Sequence, residues 1–239
     1  MTDRRAIPPR TRVRLAVFVA ALLAPGVALA GCALAASTHG APTAIGSPVP
    51  GVAPLGHGFL GDSGPTPTPE ATVEPEPGSW AGVVPPSGYR VVLITAGDDP
   101  ASTAVADGVR VWAARTGVAL DERTAVDDDG VEARIEEAVA LAPDLVVGAG
   151  AGVVDVFALL TAQHLGQQFL VVGAQLAEPT ENVTSVIWDG AAFRGTGLAA
   201  ASEPTAEAIT PARASDAIEA GVASVLHGHT GIVLHLSTR

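Results

Sequence analysis

Over residues 90–188, short β-branched apolar runs alternate with longer stretches of helical spacing, and this alternation constrains the chain most. Arg90-Val-Val-Leu-Ile-Thr95, Asp144-Leu-Val-Val-Gly148, Phe169-Leu-Val-Val-Gly173 and the segment from Val183 to Trp188 are nearly continuous in apolar residues. Runs of this kind read as strands buried on both faces. Between them, Ala101 to Thr116 places Val105, Val109 and Trp112 at helical spacing, and Gly130 to Leu141 does the same with Val131, Ile135, Ala138 and Val139. Residues 152–165 predict a third helix, Val118 to Leu120 a short second strand, and Pro143 ends the helix before it. Strand–helix alternation with two-sided strands predicts an α/β fold, a doubly wound, Rossmann-like parallel sheet, as a single lobe over residues 88–239. Roughly 150 residues are enough for one such core.

In open sheets of this type ligands bind beyond the carboxyl ends of the strands, near the point where strand order reverses. Those ends here are Ala96-Gly97-Asp98-Asp99, Gly148-Ala149-Gly150, Gly173-Ala174-Gln175 and Trp188-Asp189-Gly190. The candidate ligand contacts are therefore Asp98, Asp99, Ser102, Gly148, Gly150, Gln175, Trp188 and Asp189.

The amino-terminal region carries a different signal. Arg4, Arg5, Arg10, Arg12 and Arg14 precede an apolar stretch from Leu15 to Ala30, and Leu29-Ala30-Gly31-Cys32 follows at its exit. A basic segment, a short apolar segment and then small residues form the pattern of a secretory signal over residues 1–31. The last four residues resemble the bacterial lipobox. That resemblance implies cleavage before Cys32, acylation of its thiol and attachment to the outer face of a cell membrane. Cys32 is the only cysteine, so no disulfide can form within the chain. Residues 32–87, rich in Pro, Gly, Thr and Ser, predict a lipid anchor followed by a disordered spacer. In that expectation His39, His57 and Trp80 have no chemical role.

Charge excludes one class of partner. The chain has 13 Lys+Arg against 25 Asp+Glu. Residues 1–32 take five arginines and one aspartate, leaving 8 basic against 24 acidic residues, a net −16 with no lysine. Such a surface offers no basic footprint for nucleic acid.

Three passages carry a resemblance to a known family. Asp144-Leu-Val-Val-Gly-Ala-Gly150, Asn182-Val-Thr-Ser-Val-Ile-Trp188 and Leu198-Ala-Ala-Ala201 are similar, in order, to motifs of the basic-membrane-protein family. The tail from Ile218 to Leu236, with its Gly228-His-Thr-Gly231 turn, resembles that family's last helix and strand. The family comprises substrate-binding lipoproteins of ABC importers, nucleoside receptors among them, with the type I periplasmic-binding-protein fold. The resemblance implies a small polar solute and an importer permease as partners. The chain departs from the family where Ala101 and Ser102 stand in place of its stacking Phe and its Asn. It departs again where Asp189 and Gly190 replace its Arg and Glu, and only Asp98 and Asp99 persist as family-type contacts. The folded length matches one lobe, and most of a second lobe is expected to be missing.

Other features read more plainly. Asp127-Asp-Asp129 lacks the spacing of a calcium loop, and Asp129 is expected to cap a helix with Glu132 in its first turn. His227, His229 and His235 surround a glycine turn with no acidic or cysteine partner close in sequence, so no metal is expected. Gly148-Ala-Gly-Ala-Gly152 lacks both the dinucleotide fingerprint and a P-loop lysine. Asn182-Val-Thr184 fits a glycosylation sequon to which no role is attached. No nucleophile elbow or acid–base constellation assembles, so neither an enzyme nor a cofactor is expected. Two functions remain: a membrane-anchored solute-binding lipoprotein, or a structural or regulatory envelope lipoprotein whose cleft no longer binds.

Overall fold

The computed structural model describes residues 44–190, 192–193 and 209–237. Cys32, the leader and Leu198 to Ala201 lie outside the described residues. In chain order the elements are β1 (Thr72–Val73), β2 (Arg90–Ala96), α1 (Pro100–Thr116), β3 (Ala119–Ala125), α2 (Asp128–Ala140), β4 (Leu145–Ala149) and α3 (Val154–Leu160). They continue with β5 (Phe169–Val172), β6 (Ala174–Gln175), β7 (Val183–Trp188), β8 (Ala192–Phe193), α4 (Pro211–Leu226) and β9 (Val233–Leu236).

The main sheet runs β1-β9-β7-β5-β4-β2-β3 with every neighbour parallel. The chain leaves β2 for β3 on one side, then crosses to β4 on the other, so the strand order reverses between β2 and β4. This is a doubly wound α/β sheet with its switch point between β2 and β4.

The apolar runs have no polar face because alternate residues feed two cores. Val91 and Leu93 of β2, Val147 of β4 and Leu170 of β5 point to the side covered by α1 and α4, packing with Val105, Val109, Trp112 and Ile218. Val92, Ile94, Val146, Phe169 and Val171 point the other way, to Val131 and Ile135 of α2 and Phe157 of α3. The rings of Phe157 and Phe169 meet edge to face, with centroids 5.9 Å apart.

Helix ends follow local chemistry. Asp99 caps α1, its Oδ1 accepting the Ser102 amide at 2.8 Å, with Pro100 at the first helical position and Gly117 in the left-handed region at the other end. For α2 the cap is Asp127, accepting the Gly130 amide at 2.8 Å. Asp129 is already helical, so the expected cap is displaced by two residues. The acidic run leaves both Asp128 and Asp129 in the first turn, where the helix dipole favours them.

Four elements differ from the sequence reading. The predicted three-residue strand at 118–120 is β3, seven residues long. The helix predicted over 152–165 shortens to Val154–Leu160, with single 3-10 turns on either side. The last helix starts at Pro211, capped by Thr210, seven residues before the expected Ile218.

The fourth difference is the largest. Residues 44–87 were expected to be a disordered spacer, yet they form a strap across the sheet edge and the α1–α4 side. Phe59, Val73, Trp80 and Val83 are buried in the same core as Val91 and Trp112. Val73 pairs with Leu234 to extend the sheet beyond β9. Backbone bonds fix the strap elsewhere: Val49 N to Leu226 O at 2.8 Å, Glu70 N to Gly231 O at 2.7 Å and Gly56 N to Ser79 O at 2.6 Å. The physical reason is that average composition misjudges it. Prolines lower the entropy lost on ordering, and a few large apolar side chains bury against a surface supplied by the rest of the chain.

Candidate functional site

At the switch point one turn is open to solvent and the other is tightly packed. Asp98 and Asp99 are exposed, and Asp99 is committed to capping α1. Ser102 is buried, and its Oγ has no hydrogen-bond partner. It presses on Gly150, where an added Cβ would come within 2.1 Å of that oxygen. Gly150 also holds a φ of 75°, so the position needs glycine on two counts. Gly148 faces the opposite core: a Cβ there would stand 2.9 Å from both the Phe157 ring and Val153 Cγ2. It admits α3 to the sheet rather than a ligand to the cleft.

Of the other predicted residues, Gln175 lies half-buried on β6, which runs antiparallel to β7. Asp189 is 70 % exposed and pairs with His235 Nε2 at 3.3 Å. The opposite imidazole nitrogen stands 3.8 Å from Glu74 of the strap, so His235 links the ends of β7 and β9 to the strap between two carboxylates. The structure thus brings Asp99, Ser102 and Gly150 together, places Gly148 on the other face, and leaves Gln175 and Asp189 outside that cluster.

Trp188 leads to a different site. It lines a cavity of about 280 Å³ at the carboxyl ends of β7 and β9, whose other walls include Pro75, Pro77 and Trp80 of the strap and Arg213 and Asp216 of α4. Both indoles are largely buried, with Trp80 at 5 % and Trp188 at 3 % exposure. Trp188, Arg213 and Asp216 each hold an interaction of their own. Trp80, assigned no role in the sequence, is both a strap anchor and a wall of this cavity. Trp80, Arg213 and Asp216 escaped sequence reasoning because they stand far apart along the chain. A tryptophan and a phenylalanine isolated in a Pro/Gly-rich stretch are the available signal for the strap.

Two other hollows are less suited to a small solute. One of about 100 Å³ lies at the amino ends of the strands beside Tyr89 and Asp144. Burial, with the nearby Asp144 charge, pushes the Tyr89 phenol far above its ordinary range and keeps it neutral. The other is an open bowl among strap residues 55–65, with His57 and His229 on its wall. Among the described residues no group of three or more His, Cys, Asp or Glu is placed to hold a metal ion. The sequon asparagine is consumed structurally: Asn182 is buried and its amide donates to Thr161 O, His164 O and Gln167 O at 3.0–3.1 Å.

The fold and site define a class of protein: one parallel α/β unit with a small aromatic-walled cavity at the strand carboxyl ends. No family model matches the chain, and no curated protein matches it. Solved structures do. An ABC transporter solute-binding protein from Aeropyrum pernix K1 matches at 20% identity over 43% of this chain and 29% of its own, with a TM-score of 0.38. A periplasmic ribose ABC transporter from Conexibacter woesei DSM 14684 matches at 16% over 64% and 55%, with a TM-score of 0.35. A transcriptional activator of the comK gene from Bacillus halodurans matches at 15% over 62% and 53%, with a TM-score of 0.36. The chain spans less than two thirds of each of these three proteins. At these scores the α/β class rests on the sheet order itself, and function has to be argued from the site.

Proposed function

We propose that this chain is a membrane-tethered solute-binding module, with acylated Cys32 as its anchor in the bilayer and the permease of an ABC importer as its partner. One observation carries the solute reading: a cavity with two indole walls and a pair of opposite charges, at the strand ends where such sheets hold ligands. Its volume, just below the usual range for ligand pockets, suits a small solute, nucleoside-like or otherwise polar. Indole faces supply apolar contact to a flat or C–H-rich surface, and the charged pair supplies orientation. The strap walls the solute in from one side. The anchor rests on the lipobox-like sequence ending at Cys32, and the basic-membrane-protein likeness rests on the motifs at 144–150 and 182–188.

A specific observation favours a second reading. One switch-point turn is closed by Ser102, Gly150 and Gly173, as in an envelope lipoprotein that keeps the sheet as scaffold without binding solute. Thermal melting of the full-length chain in detergent against sugars, nucleosides and amino acids separates the two. Ligand at a hundredfold excess over Kd stabilises by about 2.7 kcal/mol, so a true solute raises Tm. A flat panel from a well-folded sample would sink the solute reading. For the anchor, expression in a lipoprotein-processing bacterium should place the wild-type chain with membranes and release a Cys32→Ser variant.

A further inference from the structure

We infer that the cavity under the strap selects a small zwitterion, a solute bearing one cationic and one carboxylate group. The inference rests on the solute-binding reading and narrows it. Arg213 and Asp216 stand three residues apart on α4, so their backbones are offset by about 4.5 Å along the helix axis on one face. They give one wall of the cavity a positive and a negative position in fixed order. A guanidinium and a carboxylate in that order complement a solute that carries both charges, whereas a simple anion or cation meets a like charge at one of the two positions.

Arg213 is also out of place by the ordinary chemistry of helices. It lies in the first turn of α4, directly after the Thr210 cap, whose Oγ1 accepts the Arg213 amide at 3.3 Å, and no acidic residue occupies that turn. The dipole disfavours a cation there, whereas α1 and α2 put Asp99 and Asp127 at the same end. Departures from a local rule concentrate at functional positions. Here the helix end and the guanidinium together make a positive terminus for a carboxylate. The indoles of Trp80 and Trp188, which line the same cavity as the Asp216 carboxylate, supply the aromatic surface and opposite charge that suit a substituted ammonium. Trp188, Arg213 and Asp216 keep their present interactions in the ligand-free chain, and the ligand's charges are recognised by the same groups.

Isothermal titration of the full-length chain in detergent tests this, with glycine betaine and alanine as zwitterions, glucose and uridine as neutral solutes, and acetate as an anion. The expected result is saturable binding of at least one zwitterion and none of acetate. Asp216→Asn and Arg213→Gln should each weaken it roughly tenfold or more, the effect of losing a charged hydrogen bond, in samples that a cooperative urea transition shows to be folded. Binding of glucose or uridine without either zwitterion would overturn the charge assignment while leaving the solute-binding module standing. Zwitterion binding that survives both substitutions would also overturn it, by placing the ligand elsewhere. Silence across the whole panel would overturn the inference together with the reading beneath it.

Discussion

The two ends of this sheet's ligand-binding edge have been used in opposite ways. At the switch point between β2 and β4, the turn carrying Gly150 fits so closely against α1 that an added Cβ would stand 2.1 Å from Ser102 Oγ. Two strands away, beyond β7 and β9, the strap arches over the sheet and leaves about 280 Å³ between Trp80, Trp188 and α4. The difference teaches that a strand-end position alone does not make a site. What matters is whether the next layer seals the turn or spans it. At the switch point the next layer is α1, seated on glycine. At the far edge it is a proline-rich segment that is stiff enough to bridge and bulky only at its anchors.

The comparison breaks most readily at the strap. Replacing Trp80 with alanine should destabilise the chain by about 3–5 kcal/mol, the range for truncating a buried large aromatic. It should also abolish any solute binding, because the same side chain is anchor and wall. Urea denaturation followed by far-UV circular dichroism measures the first, and titration measures the second. A loss below about 1 kcal/mol would mean that the strap is decoration, and the contrast between the two regions would fail.

The switch point should respond through stability alone. Gly150→Ala adds a methyl group 2.1 Å from Ser102 Oγ on a backbone with φ of 75°. Overpacking of this kind costs about 1–3 kcal/mol, with the left-handed backbone adding to it. The urea midpoint should fall, and affinity at the far cavity should not change in what remains folded. A milder version is Asp99→Ala, which removes the α1 cap and should cost about 1 kcal/mol. If either substitution weakened solute binding at constant stability, the switch point would be part of the site after all.

How much of this was legible follows the same division. The four apolar runs gave strands to within a residue or two because burial on both faces leaves an unmistakable pattern in the sequence. β3 was underread because Ala119–Ala125 is an edge strand with Asp121, Glu122 and Arg123 along it, charges that blunt an exposed edge and hide its β character. The first turn of α4 leaves little signal in the sequence because it meets α1 through alanine, Ala214 being fully buried, rather than through large apolar side chains. Average composition points residues 44–87 toward disorder, whereas Phe59, Val73 and Trp80 find their partners in distant segments. The site divides likewise. Trp188 was visible at a strand end, but Trp80, Arg213 and Asp216 become neighbours only once strap and helix are in place.

The smallest effect concerns the turn that ties the strap to the end of α4. His229 is half-buried, its carbonyl accepting the Ser224 hydroxyl at 2.6 Å, and it lies beside strap residues 55–65. Burial, reinforced by the neighbouring His227, lowers its pKa below the ordinary 6.5. Between the lowered value and 6.5 the unfolded chain binds the proton more readily than the folded one. Stability therefore rises with pH in that window and is lost as pH falls from about 7 through it. His229→Gln keeps a polar side chain and removes the titration. The difference in urea midpoint between variant and wild type should then narrow or change sign as pH is lowered from 7.5 to 5.5. Parallel midpoints across that range would mean that His229 is as free to protonate in the folded chain as in the unfolded one. The turn beneath the strap would then be open to water.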